Sequence, residues 1–160
     1  MTGAALRPAR DEDADAIAGI WHAAWHDAHR LHVPAAVAHE RTAEHFRGRA
    51  PRLIDATTVA ADRSGVLGFV TVRDDELALL FVAAPARGTG VAAALLDHGE
   101  RSIAGVFADA WLEVVTGNAR ARAFYARHGW SDAGSLDYHA DTASGSIPVA
   151  TRRYTKIVRT

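Results

Sequence analysis

The chain has no cysteine in its 160 residues. Disulfides, thiolate metal sites and a cysteine nucleophile are thereby excluded, and the composition suits a reducing compartment such as the cytoplasm. An excess of either charge is also missing: 18 Lys and Arg stand against 19 Asp and Glu, a formal net charge of −1. That balance argues against bulk attraction to nucleic acid or to an anionic membrane. The longest apolar run, near 77–86, is far shorter than the roughly 18 residues a spanning helix needs. The opening stretch MTGAALRPAR has no apolar segment of the kind a signal peptide carries. Repeats, linkers and low-complexity tracts are lacking as well. With 49% hydrophobic and 23% charged residues, the expectation is one soluble, cytoplasmic domain spanning 1–160.

What is present reads as alternating strands and helices. ALRPAR predicts a short strand, followed by a helix capped at Asp11, with Ile17, Ile20, Trp21, Ala24, Trp25 and Ala28 on one stripe. VPAAVAHERTAEHFRGRA predicts a single second helix ended by Pro51. TTVAAD and GVLGFVTVR, separated by RSG, predict a hairpin, and ELALLFV a third strand after the turn at 74–75. A helix over 90–103, the strand AWLEVV, a helix in ARARAFYARHGW closed by Gly129, and two strands in the tail complete the chain. The expected order is β-α-α-β-β-β-α-β-α-β-β, an α/β (α+β) fold with six to seven strands and about four helices. The sheet should be antiparallel early and parallel where a helix intervenes.

FVAAPARGTGVAAALLDHGE carries the first chemical signal, because Arg87-Gly88-Thr89-Gly90 stands where a strand hands over to a helix. Such a turn presents unpaired N–H groups at the positive end of a helix dipole. Glycines let an anion reach those donors, and Arg87 adds a charge suited to phosphate. The pattern is neither a Walker loop nor a dinucleotide Gly-x-Gly-x-x-Gly, and a plain tight turn explains it equally well. LEVVTGNARARAFYARHGW is the second signal. Asn118 stands at a helix start and Tyr125 seven residues later, about two turns and 10 Å along the same face. Each alone also suits an N-cap and an amphipathic packing residue.

Together the two stretches resemble the GNAT superfamily of acyl-CoA-dependent N-acetyltransferases. The likeness rests on Arg87, Gly90 and Ala92 in an Arg/Gln-x-x-Gly-x-Gly/Ala pattern, and on Asn118, Phe124, Tyr125, Gly129 and Trp130. It is specific over 77–130, and the expected element order extends it to nearly the whole chain. One departure is that two alanines separate Val82 from Pro85, where the family carries Val-x-Pro; a slightly altered turn is expected.

The resemblance implies acetyl-CoA as co-substrate and a primary amine, of a small molecule or peptide, as acceptor. It implies cofactor contacts from Phe81, Val82, Ala83, Arg87, Gly88, Thr89, Gly90, Val91, Ala92, Asn118, Ala121 and Tyr125. The pantothenate arm would lie between the strand at 77–83 and the strand at 111–115, which splay apart. Tyr125 would donate to the departing thiolate, a backbone N–H near Val82 would stabilise the oxyanion, and the base would be Glu76, Glu113 or water. Trp21, Trp25, His29 and Tyr138 would line the acceptor pocket, although core packing is the simpler fate of both tryptophans. A homodimer partly through TRRYTKIV is a further expectation by analogy.

Nine histidines are many for this length, and His22, His26 and His29 share one stripe of the first helix. Zinc is one reading of that spacing, but a polar helix face is the simpler one and no metal is expected. Arg120, Arg122 and Arg127 are either solvated or directed to the 3′-phosphate side of the cofactor. Against the enzyme stand a non-catalytic acyl-CoA sensor and an unrelated nucleotide-phosphate binder. Tyr125 with two candidate carboxylates favours the enzyme.

Overall fold

The computed structural model describes residues 3–160. The chain opens with β1 (Ala5–Pro8), followed by α1 (Ala14–His29), α2 (Ala35–Glu40) and α3 (Ala43–Arg49). A meander of β2 (Thr57–Asp62), β3 (Gly65–Arg73) and β4 (Glu76–Val82) leads into α4 (Val91–Ala104), β5 (Asp109–Val115) and α5 (Ala119–Arg127). β6 (Ser131–Thr142) and β7 (Gly145–Ile157) close the chain as a long hairpin. All seven strands form one sheet in the order β1-β2-β3-β4-β5-β7-β6. Every pairing is antiparallel except β4 with β5, which α4 connects, as a parallel pair needs a crossover rather than a tight turn.

Alternation along the strands feeds two cores. On β3, Phe69 faces α1 and α3 with Ile17, Trp21 and Phe46, while its neighbour Val70 faces α4 with Leu95, Leu96 and Ile103. A smaller cluster of Val37, Ala140 and Val149 fastens α2 to the β6–β7 hairpin. Thus α1–α3 cover one face of the sheet, and α4 and α5 the other.

Two elements depart from the sequence reading, each for a local reason. The stretch expected as one second helix breaks at Arg41. There Thr42 takes the N-cap position of α3 and its hydroxyl accepts the His45 N–H at 3.1 Å. As expected, the helix ends just before Pro51: α3 stops at Arg49 with Ala50 as its C-cap, and Pro51 sits in the first turn of a 3₁₀ segment, Ala50–Ala56, where its missing N–H costs nothing. At the first helix, Asp13 rather than Asp11 does the tying. Its carboxylate accepts the Arg10 N–H at 2.8 Å and both Arg7 guanidinium nitrogens at 2.7 and 3.0 Å. β7 is hydrogen-bonded on both edges, to β5 and to β6, so the strand edge open at this end of the sheet belongs to β6.

Candidate active site

β4 and β5 meet in a single pair, Glu76 with Trp111, supported by the Trp111 N–H donating to the Asp75 carbonyl at 3.1 Å. Beyond it the two strands part. The cause lies on the other edge of β4. Thr71 pairs with Leu79 and Val72 with Leu77, leaving Ala78 as an extra residue, and such a bulge bends its strand. β4 is committed to β3 and β5 to β7, so each has one free edge facing the wedge. Amide directions alternate along a strand, and the Ala83 N–H donates to Leu67 on β3 at 2.8 Å. The N–H groups of Leu80 and Val82 therefore turn into the wedge, where a buried unpaired donor calls for a ligand.

At the wide end of the wedge, a one-turn 3₁₀ segment, Ala84–Ala86, places Pro85 in its first turn and leads into the glycine loop. Gly88 and Gly90 have φ of 74° and 89°, values only glycine adopts freely. A Cβ added at either would meet nothing within 4 Å, so the space above the loop is open. The N–H groups of Gly88, Gly90, Val91, Ala92 and Ala93 have no acceptor among the described residues. They stand at the N-terminus of the 14-residue α4 and converge with its dipole. The Thr89 hydroxyl instead donates back to the Ala86 carbonyl, and Val91 is buried in the core. Ala83 has spent its N–H on β3. Arg87 reaches sideways to Asp27 of α1 at 2.9 Å.

Two cavities flank the wedge and share a wall. One, of about 460 Å³, runs over Val82, Arg87, Gly88, Gly90 and Ala92 to Arg120 and Arg127 of α5. The other, of about 300 Å³, lies under α1–α3. Leu80, Phe81, Asn118, Ala121 and Tyr125 border both. Asn118 caps α5 by accepting the Ala121 N–H at 3.2 Å, so it is a cap and a cavity residue at once. Tyr125 is buried, and its hydroxyl takes part in no hydrogen bond among the described residues; the fully buried polar atoms left without a partner there are His29 Nδ1 and His45 Nε2. Burial lifts this phenol well above its ordinary range.

The second cavity holds both candidate carboxylates. Glu76 is half-buried, and desolvation raises its pKa; Glu113 and Asp75 reinforce the rise, and Arg73, 3.7 Å away, opposes it. Glu113 is more exposed and accepts a hydrogen bond from Thr151. Trp21, Trp25, His29 and Tyr138 all border the same space. Trp21 does so only at its margin, being packed on Phe46 at 4.9 Å in the core. His29 is held as a neutral ring, its pKa lowered to about 4 by burial and by His32 and His26, with the Trp25 backbone opposing. Three further lining residues, Arg41, Arg49 and Arg73, carried no signal in the sequence. Arg41 falls inside what read as an uninterrupted helix, and only the break there aims it inward.

Other expectations separate cleanly. Arg122 is a structural residue: it donates to the Tyr154 hydroxyl at 3.1 Å and the Thr116 carbonyl at 3.0 Å, away from the cofactor-side cavity. His22 and His26 stack edge to face at 5.0 Å, and His26 Nε2 is bonded to the Arg41 carbonyl at 2.6 Å. Among the described residues no group of three potential metal ligands converges. No described helix is long and apolar enough to cross a membrane.

A family profile described as an acetyltransferase (GNAT) domain matches residues 54–132. No curated protein sequence matches the chain. Solved structures do. YjaB from Escherichia coli, in its apo form, is 20% identical with a TM-score of 0.77, covering 97% of each chain. A ribosomal-protein-alanine N-acetyltransferase from Brucella melitensis is 18% identical with a TM-score of 0.73, over 96% of this chain and 99% of that one. The PaiA N-acetyltransferase of Thermoplasma acidophilum, in complex with coenzyme A, is 16% identical with a TM-score of 0.67, over 98% and 99%. At such identities the likeness is one of fold.

Proposed function

We propose that this chain, which belongs to the GNAT superfamily, transfers an acetyl group from acetyl-CoA to a primary amine held in the cavity under α1–α3. The observation that carries the reading is the position of Tyr125, which lines both cavities flanking the β4–β5 wedge. One side offers five free amides for a diphosphate and the other offers carboxylates for an amine. A plain glycine turn would need neither the wedge nor the shared wall.

Bound acetyl-CoA supplies an acyl group already activated as a thioester. The free amides of Gly88 and Gly90–Ala93 suit its diphosphate, and the inward amide of Leu80 suits its peptide-like arm. Within the second cavity the acceptor must be neutral to attack, although an alkylammonium has a pKa near 10. Glu76 is the better-placed base, since burial moves its pKa toward neutrality and so strengthens it as a proton acceptor. Glu76 takes the ammonium proton before attack; once the nitrogen–carbon bond has formed, the nitrogen sheds a second proton to water as the carbon–sulfur bond breaks. The other inward amide, the Val82 N–H, is free to donate to the developing oxyanion. Tyr125 donates a hydrogen bond to the departing sulfur. Its raised pKa lies above the ordinary thiol value near 8.5, so complete proton transfer from the phenol runs uphill and water supplies the final proton.

The test is direct. Calorimetry should show coenzyme A binding, and release of free thiol from acetyl-CoA should accelerate with members of an amine panel. Tyr125→Phe should lower kcat about 10- to 100-fold with coenzyme A affinity little changed. Binding without turnover across the panel would instead make the chain an acyl-CoA-binding module, and absence of binding would sink both readings.

A further inference from the structure

The cavity under α1–α3 is lined by charge of both signs. Glu76 and Glu113 come from the strands, with Arg73 3.7 Å from Glu76, whereas Arg41 and Arg49 come from the α2–α3 junction and the end of α3. Arg41 is 8% exposed, yet no carboxylate pairs with it among the described residues. Its guanidinium carries five donors and uses one, to the Asp141 carbonyl at 3.2 Å. A buried cation without a counter-ion is costly, and removing either partner of a buried pair leaves the same penalty. The fold nevertheless fixes this one firmly. The Arg41 carbonyl takes a 2.6 Å bond from His26 of α1, and Asp141 on β6 holds the guanidinium. Arg49, likewise without a carboxylate partner, lies over the Trp21 ring at 5.3 Å, which sets its direction at the rim of the same space.

We propose that Arg41, with Arg49, is an anion-recognition site within the acceptor cavity, and that the acceptor amine carries an oxyanion, in the first instance a carboxylate, as an amino acid does. The two signs of charge then have separate tasks. Glu76 and Glu113 face the ammonium end of such a molecule and the guanidiniums its anionic end, so a zwitterion enters in one orientation. A polyamine or a simple alkylamine offers the guanidinium no acceptor and so gains nothing from Arg41. The identity of the transferred group rests on the acetyl-transfer reading; recognition of the anion does not.

The experiment therefore has two arms. In the first, acetyl transfer is measured to amino acids, to their carboxamides, to the matching decarboxylated amines and to an aminophosphonate. The expected result is a kcat/KM at least about tenfold higher for acids than for neutral partners, as one charge-assisted contact supplies; preference for the phosphonate supports the same site. Arg41→Gln and Arg49→Gln should each raise KM for the acids and leave coenzyme A affinity unchanged, and Arg41→Lys should restore part of the preference. The second arm needs no turnover. N-acetylglycine and N-acetylphenylalanine, against their amides, are titrated into coenzyme A-saturated protein, wild type and Arg49→Gln. Equal binding of acid and amide, or equal losses for both in the variants, overturns the anion site. Discriminating binding without any acetyl transfer keeps the anion site and overturns the enzyme reading.

Discussion

His29 of α1 and Asn118 at the start of α5 meet side chain to side chain, Nε2 to Nδ2 at 3.4 Å, across 89 residues of chain. Because Asn118 Oδ1 accepts the Ala121 N–H, its NH₂ faces the imidazole. An amide NH₂ only donates, so His29 Nε2 accepts, as a neutral ring can; its Nδ1 is buried and has no partner among the described residues. The contact joins the helix over the acceptor cavity to the residue bordering both cavities.

From this follows a pH dependence of stability. The His29 pKa falls from 6.5 to about 4 on folding, so between those values the unfolded chain binds the proton and the folded one does not. Stability from this group is complete above pH 6.5 and declines as pH falls toward 4, by about 2 kcal/mol at pH 5. Melting temperatures from pH 8 to 4.5 should show it as a drop of roughly 4–8 °C, and His29→Gln should remove that part. Parallel curves for the two proteins would mean the ring is hydrated and unshifted.

Much of this arrangement was readable in the residues themselves. Glycines beside Arg87, and the spacing of Asn118 and Tyr125, reflect local geometry: a turn, a helix start and two helical turns. β4 matches its sequence run at 76–82 because an apolar stretch bounded by Asp-Asp and Ala-Pro has clear ends. The bulge at Ala78 was not readable, since it depends on the register of β3 against β4 and on nothing within ELALLFV. Nor was Arg41. Its role requires a helix break and two partners, a carbonyl from β6 and a histidine from α1, the first 100 residues away in the chain. The long-range pairs are what pattern reading misses.

The Asp27–Arg87 ion pair predicts competition at the glycine loop. Its side chains are 33% and 55% exposed for Arg87 and Asp27, so the pair contributes at most about 1 kcal/mol and is screened by salt. Asp27→Asn frees Arg87 for phosphate and should tighten coenzyme A binding up to about fivefold at low salt, with the gain vanishing in high salt. Arg87→Ala should weaken binding about 10- to 100-fold, the worth of a charge-assisted contact. Calorimetric titrations at two ionic strengths would decide, and weaker binding by Asp27→Asn would mean that Asp27 positions Arg87 instead of competing for it.

The three arginines of α5 should part company when each is removed. Arg122 ties α5 to the sheet through Tyr154, Thr116 and, at 3.4 Å, Asp132, a carboxylate that Arg152 also holds at 2.6 Å. Arg120 and Arg127 instead border the cofactor-side cavity and have no ion pair among the described residues. Arg122→Ala should therefore lower the melting temperature while coenzyme A affinity holds. Arg120→Ala and Arg127→Ala should leave melting unchanged and weaken coenzyme A binding. If these two serve the 3′-phosphate, their effect disappears when dephospho-coenzyme A is titrated, because the ligand has lost the same contact. An effect that persists with dephospho-coenzyme A moves the arginines to the diphosphate. An effect of Arg122→Ala on affinity alone would mean that its bonds to Tyr154 and Thr116 do not anchor the helix.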